Sequence, residues 1–200
     1  NAGIYLLEPD VLSYIPADTH CMFEHYLFPL LVEKGEPLYS YPSLAYWIDM
    51  GTPEKYLQLH RDLLTSQTAT RLSGLESPSH MGNPPTRGRS EFDVGGPLEG
   101  TVMMGRDCAI GAQAQLKGPV VLGDECKIGD NTIIEGSVLW QRANVGQNVT
   151  IRNCIMADDC FVGDDCVVVD SVLADNVVVA KGTTLKPGSK IWPGTRIVGS

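Results

Sequence analysis

An apolar residue recurs every six positions through the second half of the chain, between residues 98 and 200. With one-residue slips before Val145, Val162 and Ile191, the series comprises Met104, Ile110, Leu116, Leu122, Ile128, Ile134, Val145, Ile151, Ala157, Val162, Val168, Ala174, Ala180, Ile191 and Ile197. A small or β-branched residue usually stands four positions later, and glycine often follows the apolar residue. This fixed-period self-similarity predicts a parallel β-solenoid, whose short strands each bury one face against the coils above and below.

The first 64 residues carry a mixed pattern of strands and helices. Strands are predicted at residues 1–7, 37–42 and 44–49, and a short helix is predicted from Pro9 to Ile15. About 64 residues bury little core, and these strands need neighbours to pair with. We therefore expect residues 1–64 to be the final portion of a larger α/β domain that begins before Asn1.

Two further helices are predicted in this first part. Residues 22–34 place apolar side chains at helical spacing, and Pro29 should kink or divide that helix before Gly35 ends it. Thr52 followed by Pro53 is a typical helix start, and this helix should reach about residue 64.

Residues 65–97 change character, because they are rich in Ser, Thr, Gly and Pro and show no apolar period. This composition predicts a linker. The chain is therefore divided into an α/β portion at 1–64, a linker at 65–97 and a solenoid at 98–200.

Charge and composition exclude two classes of partner. The chain has 24 acidic and 15 basic residues, a net charge of −9, and no basic stripe of the kind that binds nucleic acid. No segment approaches the ~20 apolar residues that a membrane helix requires. We expect neither a nucleic-acid nor a membrane partner.

The six cysteines favour a reduced, cytoplasmic protein. Cys108, Cys126 and Cys166 fall on the small inward position of the repeat, whereas Cys154 and Cys160 fall one position off it. The chain contains no CxxC pair, which disfavours a structural zinc site. Buried thiols acting as small hydrophobic side chains are the expected state.

The segment from Trp47 to Pro53 is the clearest candidate for chemistry. Asp49 stands at the end of a predicted strand and is followed by Gly51 and a capped helix, which is typical of a site at the carboxyl edge of an α/β sheet. A carboxylate there suits Mg²⁺. An aspartate at a strand end is also a common turn residue, so both interpretations stay open.

Several stretches of the chain, in order, resemble one enzyme family. The stretches are NAGIYLLEPDVL, FEHYLFPLLVEKG, PLYSYP, YWIDMGTPEKYLQLHRDLL and, in the solenoid, SVLWQRANVG. The first four resemble the C-terminal part of the catalytic domain of sugar-1-phosphate nucleotidyltransferases. The solenoid resembles the C-terminal left-handed β-helix of mannose-1-phosphate guanylyltransferase-like members. The implied fold class is mixed: a fragment of an α/β nucleotidyltransferase domain followed by a left-handed parallel β-helix.

The resemblance implies a reaction and assigns roles. A sugar 1-phosphate attacks the α-phosphorus of an NTP, which releases pyrophosphate and yields an NDP-sugar, with metal and cationic groups holding the phosphates. Asp49 matches a Mg²⁺ ligand of the family, Asn1 approaches the sugar, and Gly3 leaves room for close backbone approach. Glu24 also matches a family position, although a solvated helix carboxylate fits it equally well. The catalytic residues and the Gly-rich nucleotide loop are expected before Asn1.

Three alternative functions share a feature with this chain. Left-handed β-helices also occur in acyltransferases and γ-class carbonic anhydrases, but both need histidine on the coils, and this chain has none after His80. The remaining alternative is a non-catalytic assembly or regulatory subunit that resembles nucleotidyltransferases. In either case the end coils expose strand edges that must be covered, so a homo-oligomer formed through the solenoid is expected.

The 200-residue chain by itself is expected to make no NDP-sugar, because the nucleotide loop of the family is expected outside it. A coupled assay for pyrophosphate release, run on the purified chain with each NTP and sugar 1-phosphate, checks this expectation. Formation of any NDP-sugar above the rate without protein would contradict it.

Overall fold

The computed structural model describes residues 2–64 and 98–198, and it contains two compact units. The first unit ends at Trp47 and the second begins at Ile48. Asn1 and the predicted linker at 65–97 lie outside the described residues, so the boundaries predicted at 64 and 97 stay predictions. Among the described residues, no helix has the length and apolarity needed to span a bilayer.

The first unit is built from short helical segments. A 3₁₀ helix spans Pro9–Tyr14, and a π-helical turn at Phe23–Leu27 leads into helix α1, Phe28–Glu33. The predicted division of this second helix is confirmed at Phe28, just before Pro29, because proline fits the first turn of a helix but not its interior. Gly35 ends α1 at φ 72°, and the N–H of the next residue, Glu36, closes back 2.9 Å onto the carbonyl of Leu31.

The strands predicted at residues 1–7, 37–42 and 44–49 are wrong for the part of them that the structure describes. Residues 2–7 and 37–49 contain no strand. A strand requires a hydrogen-bonded neighbour, and residues 2–64 provide none. Tyr39, Tyr41 and Leu44 are almost fully exposed, so the apolar pattern has no second layer to pack against.

The second unit contains helix α2, Pro53–Leu64, and 17 described strands in three parallel sheets. Sheet A consists of β1 (Leu98–Glu99), β4 (Gln115–Lys117), β7 (Ile133–Glu135), β10 (Thr150–Arg152) and β13 (Val167–Val169). Sheet B consists of β2 (Val102–Met104), β5 (Val120–Leu122), β8 (Val138–Leu139), β11 (Ile155–Met156), β14 (Val172–Leu173) and β16 (Lys190–Ile191). Sheet C consists of β3 (Ala109–Ile110), β6 (Lys127–Ile128), β9 (Asn144–Val145), β12 (Phe161–Val162), β15 (Val178–Val179) and β17 (Arg196–Ile197). The chain visits the sheets in the order A, B, C in the first five coils, and in the sixth coil an isolated bridge between Val167 and Thr184 replaces the sheet A strand. The predicted parallel solenoid is confirmed, and its coils have three sides.

The inward side chains form one continuous core, but three of them differ from the prediction. Met156, Leu173 and Val179 point inward and are fully buried, whereas the repeat had placed Ala157, Ala174 and Ala180 there. The cause is a shortened corner between sheets A and B in three successive coils. In the first of these coils the chain passes from Ile134 in sheet A to Leu139 in sheet B in five residues, whereas the preceding coil takes six, from Leu116 to Leu122.

The same shortened corners correct the prediction for two cysteines. Cys154 and Cys160 lie two residues before inward Met156 and Val162, which is the small corner position, and both are buried. None of the six cysteines, all of which lie among the described residues, forms a disulfide. Burial raises the pKa of the Cys154 and Cys160 thiols to about 11, so both stay neutral and pack as small hydrophobic groups.

The coils lie so close together that glycine is required where the repeat places it. A Cβ at Gly129, built onto its backbone, would meet the backbone of Gly146 and Gln147 in the next coil closer than 3.0 Å. Gly182 is a contrasting case, because a Cβ there would meet no atom within 4 Å, although its φ of 73° is left-handed. The first glycine permits stacking, and the second permits a turn.

Gly129→Ala is expected to destabilise the protein by about 3 kcal/mol, because the backbone of the neighbouring coil must move to admit the methyl group. Gly182→Ala is the matched control and should cost about 1 kcal/mol, the strain of a left-handed backbone alone. Urea unfolding followed by circular dichroism measures both losses. An equal loss for the two variants would contradict the close approach of the coils.

Candidate functional site

Asp49 lies in the short connection that leads into helix α2. Its side chain is exposed, and a Cβ on Gly51 would lie 3.6 Å from Asp49 Oδ1, so the carboxylate sits over the bare glycine. The predicted helix start is confirmed: Thr52 Oγ1 accepts the backbone N–H of Lys55 at 3.3 Å. The connection is therefore attached directly to a capped helix.

Helix α2 packs on the outer face of sheet B. Leu57 is 8% exposed and contacts Val138 and Ile155, which point outward from two neighbouring coils. Tyr56 and Val172 flank this contact. Sheet B therefore carries apolar side chains on both of its faces here. A solenoid coil without a covering helix needs them on its inner face only.

Two polar contacts join the same helix to the coils. Trp140 Nε1 donates a hydrogen bond to the Tyr56 hydroxyl at 3.1 Å, and Arg61 Nη2 donates to Asn153 Oδ1 at 3.0 Å. Tyr56 lies near the beginning of α2 and Arg61 lies five residues further on, so the helix is held at two points along its length.

A groove of about 230 Å³ runs between α2 and sheet B. Arg61 and Lys190 line it together with Glu54 and Asp170, so both signs of charge are present. Glu54 has a lowered pKa, chiefly because a backbone N–H and the Thr52 hydroxyl donate to its carboxylate, with Lys190 contributing. The charges of the groove are therefore balanced internally, and the groove shows no preference for an anion.

The other predicted site residues belong to the first unit. Gly3 is exposed and has a φ of 69°, a conformation that favours glycine. Glu24 lies in the π-helical turn and accepts a hydrogen bond from the Tyr5 hydroxyl, which lowers the pKa of the carboxyl. The Tyr5 ring packs edge-on against Phe28 at 4.9 Å between centroids, so the donor is fixed by an aromatic contact.

The predicted site residues are not shown as one site. Asn1 lies outside the described residues, Gly3 and Glu24 lie in one unit, and Asp49 lies in the other. Within residues 2–64 and 98–198, no three His, Cys, Asp or Glu side chains cluster in a way that could hold a metal. The sequence prediction missed the contact of Tyr5 with Glu24 and that of Trp140 with Tyr56, because the partners are distant in the chain and have no local signal.

The acidic side chains at the solenoid corners bind neighbouring coils. Asp124 accepts a hydrogen bond from the backbone N–H of Arg106 at 2.8 Å, and Asp158 accepts one from the backbone N–H of Gln141 at 2.9 Å. Arg142 pairs with Asp159 through two hydrogen bonds of 2.7 and 2.8 Å, which lowers the pKa of that carboxyl. These carboxylates have structural partners and resemble no catalytic arrangement.

Tyr5→Phe is expected to raise the pKa of Glu24 towards its ordinary value, because the carboxylate loses a hydrogen-bond donor. Tyr14→Phe is the control, since the Tyr14 hydroxyl donates to Glu36 instead, at 2.6 Å. Carboxyl ¹³C chemical shifts followed between pH 2 and 7 measure the change. The stabilisation from this hydrogen bond should be present above the ordinary pKa of Glu24 and fade as the pH falls through the lowered value. A Glu24 pKa that is unchanged in Tyr5→Phe would contradict the contact.

Comparison with known proteins gives two family matches. Residues 99–199 match the model of the EIF2B subunit epsilon LbH domain, and residues 1–66 match that of the nucleotidyl transferases. The predicted fold class is confirmed by these matches together with the parallel solenoid.

Three curated relatives are similar to parts of this chain. A mannose-1-phosphate guanylyltransferase of Mycobacterium tuberculosis is 31% identical over 118 residues, which are 58% of this chain and 32% of the relative. A UTP--glucose-1-phosphate uridylyltransferase of Synechocystis is 35% identical over 77 residues, which are 38% of this chain and 20% of the relative. A probable mannose-1-phosphate guanylyltransferase 2 of Arabidopsis thaliana is 28% identical over 156 residues, which are 76% of this chain and 42% of the relative.

The chain thus spans less than half the length of each of these relatives. The solenoid match alone covers half of this chain, and the nucleotidyl transferase match precedes it in the order that the sequence predicted. The chain belongs, through its solenoid, to the family of the EIF2B subunit epsilon LbH domain, and its residues 1–66 match the nucleotidyl transferases.

Proposed function

We propose that the whole protein transfers a nucleotidyl group from an NTP to a sugar 1-phosphate, releasing pyrophosphate and forming an NDP-sugar. The observation that carries the proposal is the nucleotidyl transferase match over residues 1–66, which ends in the Asp49 connection and the capped helix α2. The relatives named above act on mannose 1-phosphate or glucose 1-phosphate. A hexose 1-phosphate is the proposed acceptor.

Asp49 is the proposed Mg²⁺ ligand of this chain. Mg²⁺ is usually held by one or two carboxylates and completes its octahedron with phosphate oxygens and water, so a single exposed carboxylate fits it. When bound, the ion would supply charge neutralisation on the phosphates. The chain's own contribution is to hold the carboxylate at a fixed place, at the start of a capped helix.

Asn1, Gly3 and Glu24 are proposed to lie near the sugar. The left-handed backbone at Gly3 and the hydrogen bond between Tyr5 and Glu24 support an ordered segment there. A carboxylate held by a tyrosine hydroxyl stays ionised and can accept hydrogen bonds from sugar hydroxyls.

A second candidate function is a non-catalytic subunit of a larger assembly. The observation that favours it is the solenoid match, because the matching domain is named for a subunit, EIF2B epsilon. Pyrophosphate release separates the two candidates, since an assembly subunit would release none.

The solenoid is also proposed to support a homo-oligomer. Trp192 is 81% exposed and Val198 is 82% exposed on the last described coil, where apolar side chains and open strand edges favour association. A cytoplasmic location is proposed in addition, supported by six cysteines without a disulfide.

Asp49→Asn in the full-length protein is expected to lower kcat about 100-fold and to raise the Mg²⁺ concentration needed for half-maximal rate, because a neutral amide binds Mg²⁺ weakly. The assay measures pyrophosphate release with GTP, UTP, ATP and dTTP, each with mannose 1-phosphate and glucose 1-phosphate.

Asp18→Asn is the matched control, since Asp18 is an exposed aspartate in a turn of the first unit and should leave the rate unchanged. Wild-type activity that survives in Asp49→Asn would remove Asp49 from the site. The absence of pyrophosphate with every substrate pair would favour the assembly subunit.

A further inference from the structure

The connection that carries Asp49 belongs to the same compact unit as the solenoid. The nucleotidyl transferase match extends to residue 66, yet the boundary between the compact units falls between Trp47 and Ile48. Asp49 and all of α2 therefore lie on the solenoid side of that boundary. The coils therefore support α2, which is the last segment of the nucleotidyl transferase match.

The outer face of sheet B is built to receive this helix. Its outward column runs Met103, Val121, Val138, Ile155 and Val172, apolar in five successive coils before Lys190. The outward column of sheet C is not continuously apolar, because Lys127, Asn144 and Arg196 lie there together with Ala109, Phe161 and Val178. A continuous apolar column on an outer face is a docking surface, and here α2 covers its centre through Leu57.

Trp140 adds a directional contact to this apolar face. It follows inward Leu139, and its indole N–H donates to the Tyr56 hydroxyl at 3.1 Å. Tyr56 lies in the first turn of α2, where its backbone N–H donates 3.0 Å to the Thr52 carbonyl. A chain of two hydrogen bonds thus runs from a solenoid corner to the residue that caps α2.

The Asp49 connection and Trp140 also border one further space, distinct from the groove described above. This space of about 270 Å³ is lined by Met50, Gly51, Thr52, Pro53, Tyr56, Trp140 and Ile155. Trp140 is 42% exposed, and its side chain forms part of the wall of this space next to residues 50–52. Movement of this ring would change the support of residues 50–52 directly.

We infer that Trp140 is a positioning residue: through Tyr56 it holds the start of α2, and thereby the Asp49 carboxylate, in the place that the nucleotidyl transfer requires. The inference rests on the proposed function for its catalytic consequence. It also gives the solenoid a role in the reaction, because Trp140 on the third coil holds Tyr56, a residue of the nucleotidyl transferase match.

The test is Trp140→Phe in the full-length protein, which keeps an aromatic ring and removes the N–H donor. Two quantities are measured: the rate of pyrophosphate release as a function of Mg²⁺, and hydrogen exchange of the amides of residues 50–57. We expect kcat to fall about tenfold and the half-saturating Mg²⁺ concentration to rise, since small misplacements of a positioned group are costly. Exchange of those amides should quicken by about tenfold, while exchange in the coils stays unchanged.

Phe161→Leu is the matched control, because Phe161 is an aromatic residue that is 41% exposed on sheet C, whereas α2 packs on sheet B. Tyr56→Phe should reproduce the effect of Trp140→Phe, and the double variant should be no worse than either single one, since both remove the same hydrogen bond.

The outcomes separate the two hypotheses. If Trp140→Phe behaves like Phe161→Leu in both measurements, the positioning role is wrong. Faster exchange throughout the coils would also overturn it, because Trp140 would then be a general stability residue. If the wild-type protein releases no pyrophosphate but exchange at residues 50–57 still quickens selectively, the proposed function fails and the positioning role stands.

Discussion

The structure of the second unit depends on one constraint: each coil must lie directly on the coil before it. The inward residues of sheet B meet this constraint from Leu122 through Leu139 and Met156 to Leu173, each paired in register with the next. Because parallel strands lie about 4.8 Å apart, nothing larger than a glycine hydrogen fits at Gly129 between coils. Small corner residues, left-handed turns and stacked aspartates all follow from that spacing.

The constraint preserves the pairing register of the strands even where the number of residues in a coil changes. Three corners between sheets A and B are one residue shorter than the others, yet the pairing of inward residues continues through them. The chain therefore uses one residue fewer in each of these coils and still keeps its strands stacked in register. These corners carry Val138, Ile155 and Val172, and α2 packs there. The coils with shortened corners are thus the coils that contact α2, the last segment of the nucleotidyl transferase match.

Attachment of α2 to the solenoid supports the segment that carries Asp49. A helix of 12 residues has limited stability on its own in water. Packing of Leu57 against sheet B and the hydrogen bond between Trp140 and Tyr56 supply additional support. In this arrangement the coils act as a base for the start of α2, where the Asp49 connection joins the helix.

The sequence by itself determined the solenoid and the start of α2, because these depend on periodicity and on local cap chemistry at Thr52 and Pro53. It misplaced the strands of the first unit, since strand formation depends on partners that residues 2–64 do not provide. It also put Ala157 where Met156 lies, because a corner of five residues and one of six have the same local pattern, and only the coil beneath distinguishes them. The bond between Trp140 and Tyr56 joins residues 84 apart in the chain. Only the tertiary structure could decide that contact, because no local property of either residue specifies its partner.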